Sequence, residues 1–581
     1  MKSRLFNNKF AAVVLLAIGV GFTSCQKDEF KNAQLEVPNS VQFPQAPAGL
    51  LSQAQLDNYL MEVFRKTGTS VDWNNLANNV LWSGVKNSDG TLTVGYKPKN
   101  IKQWDFDNAK RAEWATARKE MLQLILISEQ QKNPSLTLED IVINDDPRLP
   151  FIDVKVQNEE TIAKVRESAI YHSAAAANYD CRPLEEYIIM MIDGIAPVAT
   201  SAYDKNLREA LNNFGCKDYP AALRSSMRNG GVDYFDVNTT VAGQTRTSFA
   251  PWNYGANYHG IMAAWGNIDG QGRNISGRDV QLYILDTGLG VNARTFMSGG
   301  AITRETGTID SYVDPQTIYA PDVCGHGSGM MGAAAGSRGL NDNMIGVAYG
   351  THAQAYRVVQ DVLIDNDAES RGVAFALQDI GDNTFNRNKG RKVVVSMSIG
   401  AAFNDSRIKT VLDAFYTNGR NSDKLLFGAA GTSDPLVAGS VGSIPNFQPV
   451  FPANHPAVLG VTGVTSNVGG LLSACGSCFI NKSVDFSVVM EKHPDYRVNG
   501  FFGNIKEPFG YRHAQGSPAV RIGGSSVATA TMAGMAAMAW QKFPNATRTS
   551  LESHLAYYST FRSNKSAIYG WGITNINNAT K

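Results

Sequence analysis

Residues 251–581 are predicted to form a three-layer α/β domain around a mostly parallel sheet, preceded by an α+β segment. Three observations carry this. Short apolar runs punctuated by Gly and small residues alternate with helical stretches, which is the βαβα order of a parallel sheet covered on both faces. Glycine is frequent, 54 of 581 residues, and charged residues make up only 18% of the chain, against about 25% in an average soluble domain. That composition favours a tightly turned globular fold over disorder or coiled coil. The 581 residues also leave room for about three to five domains at the usual length per domain, enough for a large buried core.

Lys and Arg number 53 and Asp and Glu 52, a formal net charge of +1. Such balance excludes a broad electrostatic footprint and with it nonspecific nucleic-acid binding.

At the start, Lys2, Arg4 and Lys9 precede an uncharged run over residues 11–22, followed by Phe22-Thr23-Ser24-Cys25. This is the charged, apolar, small-residue order of an export signal, and the run is shorter than the roughly 20 residues that span a bilayer. The ending resembles a bacterial lipobox, with Phe22 where Leu is commoner. The resemblance implies a signal peptide over 1–24 and lipidation of Cys25. Cys25-Gln26-Lys27-Asp28-Glu29 further resembles the Lys-plus-acidic signal that sends lipoproteins of Bacteroidota-type bacteria to the cell surface. The expected location is the outer membrane of a Gram-negative bacterium, surface-exposed, with the membrane contacted through the N-terminal lipid. Loss of three positive residues leaves 50 basic against 52 acidic side chains, a net charge of −2.

Five further cysteines, Cys181, Cys216, Cys324, Cys475 and Cys478, cannot all pair. Cys475-Gly476-Ser477-Cys478 lacks the second pair that a zinc site needs. It is read as a local disulfide or two separate thiols, and no metal is assigned to it.

Residues 25–50, rich in Gln, Asn and Pro, read as a tether. Residues 51–185 form the α+β segment. Apolar residues recur at three- and four-residue spacing over 51–60 and 112–127, predicting helices. Strands are predicted at 140–144 and 151–156, and a helix at 160–168. Residues 186–250, with Asn229-Gly230-Gly231 and a Thr-rich stretch over 239–247, read as a linker or insertion in loop conformation.

Three motifs carry chemistry. The apolar run Gln281-Leu282-Tyr283-Ile284-Leu285 ends at Asp286-Thr287-Gly288, and the C-terminal ends of parallel strands are where α/β sheets place ligands. Alone, Asp-Thr-Gly also describes a structural turn or an aspartic protease, though no second such triplet exists here. Cys324-Gly325-His326-Gly327-Ser328 places a His between glycines before a small-residue helix predicted over 327–335, exposing the ring to close neighbours. Gly524-Ser525-Ser526-Val527-Ala528 opens an apolar helix running to about Trp540. A Ser there is either an N-cap or a nucleophile whose own N–H faces a developing oxyanion.

The chain order Asp286, His326, Ser526 is the Asp…His…Ser order of subtilisin, and the three motifs resemble the active-site motifs of the subtilases. Residues 341–347, 393–400, 451–464 and 569–573 resemble the loop after the His helix, the cleft strand, the Pro-containing turn and strand behind the specificity pocket, and the closing segment. Coverage is about 251–581. The resemblance implies a subtilisin-like serine endopeptidase with Ser526 as nucleophile, His326 as base and Asp286 orienting the imidazole. Its partners would be protein or peptide substrates, bound as an added strand along Ser398, Ile399, Gly400 and Ala429, Ala430, Gly431. The enzyme is expected to be a monomer and to need no cofactor. Calcium is a candidate structural ion, with Asp342 and Asn343 as loop ligands.

Some positions depart from the family. Thr432 stands where most subtilases carry the oxyanion-hole Asn, so the hole would consist of Thr432 and Ser526. Losing that amide costs about 10² to 10³ in turnover in subtilisin itself, predicting a slower or differently tuned enzyme. A catalytically silent fold serving as a surface binding or adhesion module is the alternative. Thr531 replaces a common His, and Cys324 resembles the thiol near the His of some thiol-bearing subtilases or is a small buried residue. An α/β-hydrolase lipase would need an acid and then a His after the nucleophile. Only Glu552 and His554, two residues apart, follow Ser526. Residues 151–156, 161–168 and 169–171 resemble the end of a subtilase prodomain, which implies that 51–185 assist folding and inhibit until cleavage between about 180 and 250.

Overall fold

The computed structural model describes residues 49–50, 80–81, 92–98, 108–157, 161, 169–172, 234–241, 243–289, 309–313, 326–339, 345–359, 364, 367–382, 390–400, 406–417, 422–431, 451–466, 472–474, 484–491, 505–506, 521–522 and 524–581. All of these belong to the larger of two compact units, 46–61 with 72–581. The predicted helix at 51–60 and all the cysteines lie outside the described residues.

The N-terminal part contains β1 (Leu92–Pro98), α1 (Asn108–Gln130), α2 (Leu138–Ile141), β2 (Val142–Asn144), β3 (Ile152–Val156) and β4 (Ala169–His172). Its strands form an antiparallel sheet in the order β2-β3-β1-β4. Side chains alternate across a strand, so Ile152, Val154 and Val156 pack against Trp114, Met121 and Ile125 of α1. The strand predicted at 140–144 begins instead as the helical turn α2. The carboxylate of Asp140 reaches back to accept from the N–H and Oγ of Thr137, at 2.8 and 2.7 Å, and a side chain that satisfies the free N–H groups at a helix start favours the turn. Of the helix predicted at 160–168 only Thr161 is described.

The Thr-rich stretch read as loop is a β-hairpin, β5 (Tyr234–Val241) and β6 (Gln244–Pro251), paired from Tyr234↔Pro251 to Val241↔Gln244. Threonine is β-branched and fits a strand. The two-residue turn carries Gly243 at φ +77°, the left-handed conformation that hairpin turns require.

The main domain contains β7 (Val280–Asp286), β8 (Ile309–Val313), α3 (His326–Ala335), β9 (His352–Arg357), α4 (Asp367–Gly381), β10 (Lys392–Met397), α5 (Ser406–Thr417), β11 (Lys424–Ala429), β12 (Val458–Ser466), β13 (Leu472–Ala474), β14 (Val484–Glu491), α6 (Gly524–Lys542) and α7 (Arg548–Tyr557). Its eight-stranded sheet runs β8-β9-β7-β10-β11-β12-β13, with β14 also paired to β12. Every pairing is parallel except β12 with β13. This is the α/β architecture the sequence predicts, with α3 (His326–Ala335) and α6 (Gly524–Lys542) where small-residue helices are expected.

Both faces of the sheet are covered, so all of β7 is buried. Val280, Leu282 and Ile284 point into a core shared with α3 and α6, whereas Tyr283 and Leu285 point into one shared with α4 and α5. The same alternation carries Asp286 to the face that α3 and α6 cover. Close approach of those helices requires glycine: a Cβ on Gly534 of α6 would lie 2.6 Å from Cβ of Val347 and 3.0 Å from the carbonyl oxygen of Ala334 in α3. β7 lies between β9 and β10, where the winding of the sheet reverses, and parallel sheets open a crevice beyond the strand ends at such a point.

Candidate active site

Asp286, at the C-terminal end of β7, is fully buried. Its Oδ1 accepts from Nδ1 of His326 at 2.8 Å and from the N–H of Thr287 at 2.7 Å. An ionised carboxylate only accepts, so the Asp286 contact places the neutral ring's proton on Nδ1. Nε2 is then the basic nitrogen.

His326 is the first residue of α3, and its approach to Asp286 depends on the following glycine. A Cβ on Gly327 would sit 2.3 Å from the Gly288 carbonyl oxygen and 3.2 Å from Cβ of Asp286. The N–H of Gly327 donates to Oγ1 of Thr287 at 2.8 Å. The first N–H groups of a helix have no acceptor within it, so Thr287 caps α3 from another element.

Ser526 is the third residue of α6. From 524 to 541 every residue is buried except Ser526, which is half-buried; its neighbour Ser525 is 1% exposed. The carbonyl oxygen of Ser526 accepts from Oγ of Ser398 at 2.8 Å. Ser398 follows β10, the strand beside β7. The structure thus pairs Asp286 with His326 and places Ser526 on the helix that packs against α3.

Two main-chain groups of the expected peptide-binding segments already have internal partners. The carbonyl of Gly400 accepts from the N–H of Ile364, and the N–H of Ala430 donates to the carbonyl of Val461, each at 2.8 Å. Ile399 and Ala429 are buried, and Gly431 has φ +118°. Thr432, Cys25, Asp342 and Asn343 lie outside the described residues. Among the described residues no three His, Cys, Asp or Glu side chains cluster as a metal site, and no helix is long and apolar enough to cross a membrane.

Sequence reasoning assigned no role to Thr287 or Arg357. The stem of Arg357 supports the turn after Asp286: a Cβ on Gly288 would lie 3.1 to 3.4 Å from its Cβ, Cγ and Cδ. The adjacent Val358 N–H donates to the Asp286 carbonyl at 2.9 Å. The hydroxyl beside Asp286 was the only available signal for the first, and nothing local marks the second.

A buried Asp–His pair with a serine-bearing helix beside it, on a parallel sheet, is the kind of site found in one class of hydrolytic enzymes, and the match to known sequences agrees. The subtilase family profile covers residues 277–572, just over half of the chain. The chain belongs to the subtilase family. It is 25% identical over 284 residues to a subtilisin of Bacillus sp. (strain TA39), spanning 48% of this chain and 61% of that protein. It is 24% identical over 311 residues to a thermostable alkaline protease of Halalkalibacterium halodurans, spanning 53% of this chain and 70% of that protein. The chain thus spans about three fifths of the length of the first of these relatives. Among solved structures it is similar to an S41 psychrophilic protease at 21% identity and a TM-score of 0.39, over 55% of this chain and 98% of that one.

Proposed function

We propose that this chain is a serine endopeptidase of the cell envelope that cleaves peptide bonds through Asp286, His326 and Ser526. The observation that carries the reading is the 2.8 Å Asp286–His326 contact beside a helix on which Ser526 alone, from 524 to 541, reaches the surface. Nε2 of His326 takes the Ser526 proton as Oγ attacks the scissile carbonyl, and returns it to the leaving amine. Asp286 holds the tautomer and offsets the charge on the imidazolium, and water then releases the acyl group by the same route. The N–H of Ser526 lies in the first turn of α6, in a positive local potential suited to the oxyanion. The Thr432 hydroxyl is its proposed partner. Substrate main chain is proposed to lie along 398–400 and 429–431.

Catalysis through these side chains draws on no cofactor. The family's structural calcium has its sequence candidates at Asp342 and Asn343, and chelation followed by a thermal melt tests it. Envelope location rests on the leader over 1–24 and on Cys25. Mass spectrometry of the processed N-terminus and fractionation of Cys25→Ala test it. Residues 51–185 are proposed to assist folding before a cut between about 180 and 250, and Ser526→Ala that is still cut there as fast as the parent would exclude self-processing.

A fluorophosphonate should label the parent and fail to label Ser526→Ala. Absence of labelling in both, with a folded protein, would favour the non-catalytic binding module instead.

A further inference from the structure

The crevice beyond β7 is bridged from its two sides. β9 and β10 flank β7 and do not pair with each other, so they lie two strand spacings apart, about 10 Å. Past Asp286, where β7 ends, that gap is the width of one added strand. Ser398 to Gly400 continue β10 along one side of it, just after Met397 pairs with Leu285. Ile364 follows β9 on the other side. Its N–H donates to the carbonyl of Gly400 at 2.8 Å, so the two sides meet there, and Gly400 also takes part in a β-bridge. Burial anchors the contact: Ile364 and Ile399 are 5% and 2% exposed, in one core with Tyr356, Phe375 and Met397. Swinging Ile364 aside would return its apolar side chain to water. Ser398 marks the other end of the open stretch, because its Oγ donates to the carbonyl of Ser526 at 2.8 Å.

We propose that Ile364 and Gly400 close one end of the substrate cleft, so that main-chain recognition stops about two residues from the scissile bond and short oligopeptides are taken as readily as long chains. The half of a substrate that stays on Ser526 as the acyl group starts beside Ser398, the residue that grips Ser526. In an extended segment the main-chain groups of alternate residues face the same edge, so a chain added at Ser398 reaches Gly400 next. There the carbonyl already accepts from Ile364. From Ser398 to Gly400 is about 7 Å at roughly 3.3 Å per residue, room for about two substrate residues. Strand addition draws its affinity from main-chain bonds, and the bond at Gly400 is taken. Ile364 is thus a specificity-determining residue, and the substrate class it selects is the short peptide. The proposal deepens the peptidase reading of Ser526 and rests on it.

The test gives the full-length parent four libraries of N-acetylated, mixed-sequence peptides, with two, three, four or five residues ahead of a common fluorogenic amide. The expected kcat/KM is the same within about threefold from the shortest library to the longest. Ile364→Pro removes the N–H that occupies Gly400, and should make the five-residue library at least tenfold better than the two-residue one. If Ile364→Pro does not fold, Ile364→Gly keeps the N–H but loses the buried side chain that anchors it, and should steepen the series in the same direction by about threefold or more. A parent whose kcat/KM rises tenfold with length overturns the closure. A flat parent series that stays flat in both variants overturns the role of Ile364. A parent that a fluorophosphonate does not label fails the peptidase reading itself, and the closure is then read from the apparent Kd of the same libraries for Ser526→Ala. Equal Kd at all lengths upholds the closure, and tenfold tightening with length overturns it. Binding at no length overturns the placement of substrate along 398–400 and the closure with it.

Discussion

Thr287 caps the helix that carries His326: its Oγ1 accepts the N–H of Gly327 at 2.8 Å, while its own N–H donates to the same Asp286 oxygen that His326 contacts. One residue therefore holds both members of the pair. Replacing a capping hydroxyl costs about 0.5 to 2 kcal/mol, and here the helix it steadies bears His326, the proposed base. Thr287→Val is expected to lower kcat about tenfold with little change in KM, and Thr287→Ser to restore most of the loss. Steady-state kinetics on a peptide substrate would decide. A change confined to KM would remove Thr287 from the support of His326.

Adjacent serines open α6, and burial separates them. Ser525 is enclosed, and its carbonyl accepts from Oγ1 of Thr529 at 2.8 Å, while Ser526 reaches the surface. Ser526→Ala should lower kcat by about 10⁶, the scale of nucleophile loss in subtilisin. Ser525→Ala should retain activity within about tenfold. Fluorophosphonate labelling of both variants reads the difference directly, and labelling that survives in Ser526→Ala would move the nucleophile.

What was legible from the residues was what chemistry keeps local. An apolar run ending in Asp286, a His framed by glycines, and a Ser opening an apolar helix each occupy a few consecutive positions, and strand alternation then carries Asp286 to the side of the sheet that α3 and α6 cover. The supporting contacts are long-range. Asp153 and Arg407 are 254 residues apart, and neither sits in a pattern that announces a partner. The hairpin was missed for a different reason: its threonines read as polar loop when the competing signal, β-branching around a glycine turn, was the stronger one. Similarly, the acidic start of the predicted strand at 140–144 became a helical turn because Asp140 had a backbone donor within reach.

His259 links stability to pH. It is wholly buried, with Nδ1–H donating to the carbonyl of Thr574 at 2.9 Å and Nε2 accepting from the N–H of Val489 at 3.0 Å. The acceptor role requires the neutral ring, and burial pushes its pKa down from the ordinary 6.5 to about 4. The unfolded chain therefore binds a proton that the folded chain refuses. Stability from this residue is whole above pH 6.5 and is lost as the pH falls toward 4, by on the order of 3 kcal/mol. Urea unfolding of Ser526→Ala at pH 7 and pH 4.5 should show the fall, and adding His259→Gln should flatten that part of it while lowering stability at pH 7. An unchanged pH slope would assign acid sensitivity to other groups.

The proposed catalytic geometry also depends on how closely two helices approach. A methyl group on Gly534 would meet Val347 and the Ala334 carbonyl at 2.6 and 3.0 Å, and the contact with Ala334 is to main chain, which has little freedom to move aside. Gly534→Ala must push α6 away from α3, and α6 carries Ser526 while α3 carries His326. Overpacking of this kind costs about 1 to 3 kcal/mol, so a lower melting temperature is expected together with a fall in kcat. Gly270→Ala is the control, since nothing lies within 4 Å of the added methyl. A Gly534→Ala enzyme that melts lower but keeps its full kcat would show that the two helices shift as one body, preserving the relation between His326 and Ser526. A fall in kcat exceeding that of the control, measured well below the melting transition, would place the spacing of α3 and α6 among the determinants of turnover.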